Sequence, residues 1–265
     1  MLDTRRPRHH DRLHAGFGAC ETEETRMITL YGGPTPNARK IAIALEELGV
    51  EWRLETIDIL AGDQLTPAFL ALNPNNKTPV IVDDGVPAGE PPFVLWETGA
   101  ILLWLAEKTG SLVPQDPRER AICHQWLMFQ VSAVGPMFGQ HAHFTFYAKD
   151  RHPYAMERYA NEVTRLLRVM DRQLAKTTYI AGETYSIADI AIYPYIMREV
   201  KARAAEFPNL MRWGALVGAR PAVRRGNATG EARKETIAGG MDGFNDEHRS
   251  ILFGERQYKA LDGVG

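Results

Sequence analysis

A chain of 265 residues is long enough for one large or two modest domains with real cores. With 45% apolar residues, 24% charged residues and a net charge of −2, it makes no global case for nucleic-acid or membrane-surface binding. Cys20 and Cys123 are its only cysteines and form no CxxC pair. That excludes a disulfide scaffold, a zinc cluster and a self-contained dithiol site, and it suits a reducing cytoplasm. No stretch reaches the roughly eighteen uninterrupted apolar residues of a membrane span.

The first 26 residues carry Arg5, Arg6, Arg8, His9, His10 and Arg12, then Glu21, Glu23 and Glu24. They lack the apolar stretch of a secretory signal. The expectation is a disordered tail over 1–26, or an upstream start with the working protein beginning at Met27. Met27 to Tyr31 reads as a strand that stops at Gly32-Gly33-Pro34. A helix is predicted over Pro36 to Leu48, capped by Thr35 and ended by Gly49, with Ile41, Leu45 and Leu48 on one face. Trp52 to Ile59 is a second strand, and Gly62 to Leu72 a short helix or irregular turn. Val80 to Val82 and Phe93 to Leu95 are further strands around the Asp83-Asp84-Gly85 turn, and Glu97 to Lys108 is a helix. The order βαβ then ββα predicts an α/β layer with a parallel pair and a hairpin.

Residues 111–118 read as a linker, so the first domain is expected over 27–110 and an all-helical domain over 119–225. Long helices are predicted over Glu119 to Val134 and Tyr154 to Leu174. Ser186-Ile187-Ala188-Asp189 has the pattern of a capping box and opens a buried helix, Ile190 to Arg198; its role is structural. Residues 226–265 form a Gly-rich, polar C-terminal tail of low predicted order, which Ile251-Leu252-Phe253 docks locally.

The chemistry is expected at three places. Thr35-Pro36-Asn37 sets polar side chains at a helix N-terminus, where unpaired N–H groups and the dipole stabilise an anion such as a thiolate. The bland alternative is a helix cap followed by a first-turn filler. Asn73-Pro74-Asn75-Asn76-Lys77-Thr78-Pro79 precedes the third strand, and Glu97-Thr98 opens a helix suited to a carboxylate. His141 and His143 lack a third ligand at convincing spacing, so no metal is expected. Phe138, Phe144, Phe146 and Tyr147 around them read as the wall of an electrophile or second-thiol pocket. Cys123 reads as a small buried hydrophobe.

These motifs, with Gly135-Pro136-Met137-Phe138-Gly139-Gln140 and Tyr154-Ala155-Met156-Glu157-Arg158-Tyr159, resemble the glutathione transferase superfamily, and within it the Nu class. The resemblance covers residues 27 to 225. It implies a thioredoxin-like N-terminal domain, an all-helical C-terminal domain and a homodimer, with glutathione as co-substrate and no metal. By this resemblance Thr35 and Asn37 stabilise the glutathione thiolate, while Tyr31, the rival at the strand end, is a packed core tyrosine. A cis bond before Pro79 turns the Thr78 backbone toward the cysteinyl unit of glutathione. Lys77 approaches the glycyl carboxylate, and Glu97 and Thr98 take the γ-glutamyl end. Gln64 supplies a polar contact. Arg158 reaches a ligand carboxylate or pairs with Glu157 or Glu162 on the surface. The implied activity is glutathione-dependent thiol–disulfide exchange, with organic hydroperoxide reduction on the same thiolate. Conjugation of glutathione to electrophiles and a non-enzymatic, glutathione-binding regulator are the alternatives.

Overall fold

A computed structural model describes residues 27–87, 89–230 and 244–262. Four strands form one sheet in the order β2-β1-β3-β4: β1 (Ile28–Gly32), β2 (Trp52–Thr56), β3 (Val80–Asp83) and β4 (Phe93–Trp96). β1 runs parallel to β2 and antiparallel to β3, which pairs antiparallel with β4. A parallel neighbour needs a crossover, and α1 (Pro36–Leu48) supplies it. The second strand is shorter than its apolar pattern predicts. Its partner β1 ends at Gly32, where the Ile57 N–H donates to the Gly32 carbonyl at 2.9 Å and the chain turns away.

Thr35 caps α1 by accepting from the Ala38 N–H at 3.2 Å, Pro36 occupies the first turn, and Gly49 closes the helix at φ 63°. Ile41 to Leu45 are all fully buried. The helix is covered on both sides, because it packs on α3 (Thr98–Thr109) and also on α7 (Ile187–Ala202) and α9 (Pro221–Ala228). Gly226 makes the second contact possible: a Cβ there would meet the Ile43 backbone at 2.6 Å. Arg220 grips Glu47 through two hydrogen bonds of 2.6 and 2.7 Å, fastening α9 to α1. One hydrophobic core therefore runs from Ile28 and Leu30 through Leu105 and Trp126 to Val223.

The helical half begins with α4 (Pro117–Phe129), two residues before the expected start. Asp116 accepts from the N–H groups of Arg118 and Glu119 and so caps it early. The helix predicted to continue to Val134 instead passes at Gln130–Val134 through a wide π turn into α5 (Gly135–Ala142). Pro136 has no N–H to return to Ser132, so the regular ladder cannot continue there. A second π turn, His143–Tyr147, leads through a short loop to α6 (Pro153–Leu174); α8 (Pro208–Gly218) lies between α7 and α9, and the short α2 (Pro67–Leu72) belongs to the first domain. The capping box starts α7 at Ile187, earlier than expected.

The described parts of the C-terminal tail carry more helix than their composition predicts. α9 runs to Ala228, and residues 244–262 carry α10 (Asp246–Phe253) and α11 (Arg256–Lys259). Ile251 is buried, Arg249 donates to the Tyr147 carbonyl at 2.9 Å, and the Phe253 ring meets those of His143 and Tyr147. These few apolar anchors order a segment whose overall composition is polar. The expected tail over 1–26 lies outside the described residues. Among the described residues no helix is long and apolar enough to cross a membrane.

Candidate functional site

Four parts of the chain converge on one cleft of about 300 Å³. The first two turns of α1 bring Asn37 and Lys40. The loop before β3 brings Asn73, Asn75, Lys77, Thr78 and Pro79. The start of α3 brings Glu97 and Thr98, and the helical domain closes the cleft with Gln130, Val131, Gly135, Pro136 and Tyr195. The Thr78–Pro79 bond is cis. Glu97 has φ 72°, a conformation non-glycine residues rarely adopt and one that costs on the order of 1–3 kcal/mol. It sits where α3 begins, so the backbone turns there with the Glu97 side chain and Thr98 both lining the cleft. α3 presents its free N–H groups at the same place, which suits a carboxylate.

Beneath this surface lies Lys40, only 1% exposed. Its Nζ donates to Gln130 Oε1 at 2.8 Å and to Thr98 Oγ1 at 3.3 Å, and lies 4.5 Å from the centre of the Tyr195 ring. Burial pulls its pKa down to about 7, with the nearby Glu97 carboxylate opposing. Burial pushes the Tyr195 phenol up to about 12, opposed by the adjacent Asn37 side chain. The Nε2 of Gln130 is buried without a partner.

At the rim, Asn73 braces the loop by donating to the Lys77 carbonyl at 2.6 Å and accepting from the Asn75 N–H at 2.9 Å. Asn76 donates to the Gln257 carbonyl at 2.7 Å, and the Lys77 ammonium donates to the Gln257 side chain. Burial lowers the Lys77 pKa. The C-terminal segment thus borders the cleft, which its polar sequence did not foretell.

Of the residues singled out from sequence, Asn37, Lys77, Thr78, Glu97 and Thr98 meet in this cleft. Thr35, Gln64 and Arg158 do not line it. Thr35 serves as the α1 cap. Gln64 is buried and donates to the Ile59 carbonyl at 3.1 Å, its Oε1 without a partner. Arg158 is half exposed on α6, 3.9 Å from Glu162, the surface pairing weighed for it above. Tyr31 packs with Ile57, Phe69 and Val80. The aromatic wall does not reach the cleft either. Phe144 stacks on Tyr159, Phe146 lies under Arg198, and Tyr147 meets Phe244 and Phe253. Cys123 is fully buried, which raises its thiol pKa, and Cys20 lies outside the described residues. Among the described residues no three His, Cys, Asp or Glu side chains cluster for a metal.

Lys40, Gln130 and Tyr195 escaped the sequence reading. Lys40 left one signal, a cation three residues after Asn37 and so on the same face of α1. Gln130 left another, a polar residue ending the apolar run that starts at Trp126.

A sheet of this order, with a cis proline before its third strand and a helical domain closing the cleft, defines a thioredoxin-like domain joined to an all-helical one. Residues 35–108 match the family model of the glutathione S-transferase N-terminal domain and residues 136–221 that of the C-terminal domain. The chain belongs to the glutathione transferase family. It is 45% identical over 199 residues to the disulfide-bond oxidoreductase YfcG of Escherichia coli K12, spanning 74% of this chain and 93% of that relative. A Burkholderia graminis glutathione transferase crystallised with two glutathione molecules per subunit has a TM-score of 0.73 at 42% identity, over 77% of this chain and 88% of that one. A Pseudomonas putida glutathione transferase with one glutathione disulfide per subunit has a TM-score of 0.72 at 41% identity, over 78% and 93%.

Proposed function

We propose that this chain is a glutathione-dependent thiol–disulfide oxidoreductase of Nu type, working as a homodimer in the cytoplasm. The observation that carries the reading is the meeting of Asn37 at a helix N-terminus, the Thr78 backbone beside a cis proline and Glu97-Thr98 in one cleft, with no cysteine among the described residues that line it. Each group answers one part of glutathione. Asn37 and the α1 dipole face the thiol, Thr78 pairs with the cysteinyl backbone, and Glu97 and Thr98 take the γ-glutamyl amine and carboxylate. Lys77 serves the glycyl carboxylate from the rim. Thr35 acts by fixing the start of α1 and so the place of Asn37.

A glutathione thiolate held by Asn37 attacks a substrate disulfide. It forms a mixed disulfide and releases the first substrate thiolate. A second glutathione thiolate then attacks the glutathione sulfur, giving glutathione disulfide and the second substrate thiolate. Electrons balance without a protein cysteine, and the glutathione-bound relatives support room for both reactants. The same thiolate reduces an organic hydroperoxide to alcohol and water through a sulfenic intermediate on glutathione, resolved by the second glutathione. The double variant Cys20→Ser/Cys123→Ala is expected to keep disulfide turnover within about threefold of wild type. Loss of turnover in that variant, with the fold and glutathione binding intact, would overturn exchange between ligand sulfurs alone.

A further inference from the structure

A buried amine at the floor of an anion-binding cleft needs a reason, because burial favours its neutral form. Lys40 sits 1% exposed on α1, in the turn after Asn37, and reaches two other elements at once: Thr98 at the start of α3 and Gln130 in the π turn after α4. Both also line the cleft, as does Tyr195, whose ring it underlies. By donating to Thr98 Oγ1, the ammonium occupies an acceptor position of that hydroxyl and leaves its proton for a ligand oxygen. By taking Gln130 Oε1, it orients the amide so that Nε2, buried without a partner, remains as a donor.

We propose that Lys40 is a positioning residue of the glutathione site, whose buried amine aims Thr98 and Gln130 and, charged in the complex, supplies the positive charge that offsets the bound ligand's carboxylates. This rests on the reading of the cleft as a glutathione site. The groups facing Lys40 are the Glu97 carboxylate, the Tyr195 phenol, Thr98, Gln130 and, from its own helix, Asn37. Tyr195, raised to about 12, stays neutral through the physiological range. Lys40, lowered to about 7 in the free protein, takes up a proton when an anionic ligand arrives, so binding weakens as pH rises through neutrality.

The experiment uses S-methylglutathione, which has no thiol to titrate, with wild type and Lys40→Met measured by calorimetry from pH 6 to 8. Lys40→Met is expected to bind about tenfold or more weakly at pH 6, with a melting temperature equal to or above wild type. The wild-type advantage over Lys40→Met is expected to shrink several-fold by pH 8, and ionisations of the ligand itself cancel in that comparison. Equal affinity of the two proteins, or an advantage unchanged with pH, would overturn the role of Lys40. If the variant does not fold, wild type alone decides through proton uptake on binding at pH 7, read in buffers of different ionisation enthalpy; no uptake overturns the proposal. Wild type that binds neither glutathione nor S-methylglutathione would instead overturn the reading of the cleft, and the role of Lys40 with it.

Discussion

Asn37→Ala is expected to lower kcat/KM for glutathione-dependent disulfide reduction by about 10- to 150-fold. A hydrogen bond to a charged acceptor contributes roughly 1.5–3 kcal/mol, and each ~1.4 kcal/mol is a factor of ten. The free thiol has a pKa near ~8.5, so losing the Asn37 donor returns most of the bound glutathione to its weakly nucleophilic form. Binding itself changes little, because the Thr78 backbone, Glu97, Thr98 and Lys77 are untouched and still line the cleft. Steady-state kinetics beside calorimetric glutathione binding reads both effects. The thiolate absorbance of the bound ligand, titrated with pH, is expected to move up with the loss of turnover. Full activity in Asn37→Ala would move the sulfur contact to Tyr195, the neighbouring hydroxyl in the cleft.

Asp189→Ala carries the largest expected effect on stability, a loss of roughly 3 to 5 kcal/mol. The carboxylate is fully buried and accepts from the Ile180 N–H at 2.9 Å, the Ser186 N–H at 3.0 Å and the Trp213 indole at 2.8 Å. Removing it strands those three donors and the Ser186 hydroxyl, which also donates to it at 3.3 Å, and opens the capping box of α7, the helix that carries Tyr195. Burial raises its pKa to about 6, against those hydrogen bonds. The unfolded value is ~3.9, so between the two the folded state holds more protons than the unfolded one. Its contribution to stability therefore falls as pH rises from about 4 to about 6, and is constant above. Urea unfolding of wild type and Asp189→Ala is expected to show a larger difference at pH 4.5 than at pH 7. A difference below about 1 kcal/mol at both would mean that water or a backbone shift satisfies those donors.

Local patterns carried much of this architecture. The cap at Thr35, the stop at Gly49 and the Ser186–Asp189 box are short-range events, so adjacent residues reveal them. The cleft residues Asn37, Thr78, Glu97 and Thr98 were legible because each sits at an element boundary whose backbone groups demand a partner. Lys40, Gln130 and Tyr195 were not. Lys40 and Gln130 meet across 90 positions in the chain, and only the packing of α1 against the helical domain brings them together. The same holds at the rim, where Asn76 reaches Gln257 across 181 positions. Arg158 and Gln64 lie outside the cleft for the opposite reason. Their polarity is equally well spent on a surface carboxylate and a buried carbonyl, and the structure spends it there.

The most direct test of the central claim is the steady-state reduction of 2-hydroxyethyl disulfide by glutathione, coupled to glutathione reductase, beside conjugation of glutathione to an aromatic electrophile. A cleft built to hold a glutathione thiolate against a disulfide predicts rapid disulfide turnover and feeble conjugation. Rapid conjugation with negligible disulfide reduction would contradict it, and glutathione binding without either reaction would leave a binding protein on the same fold.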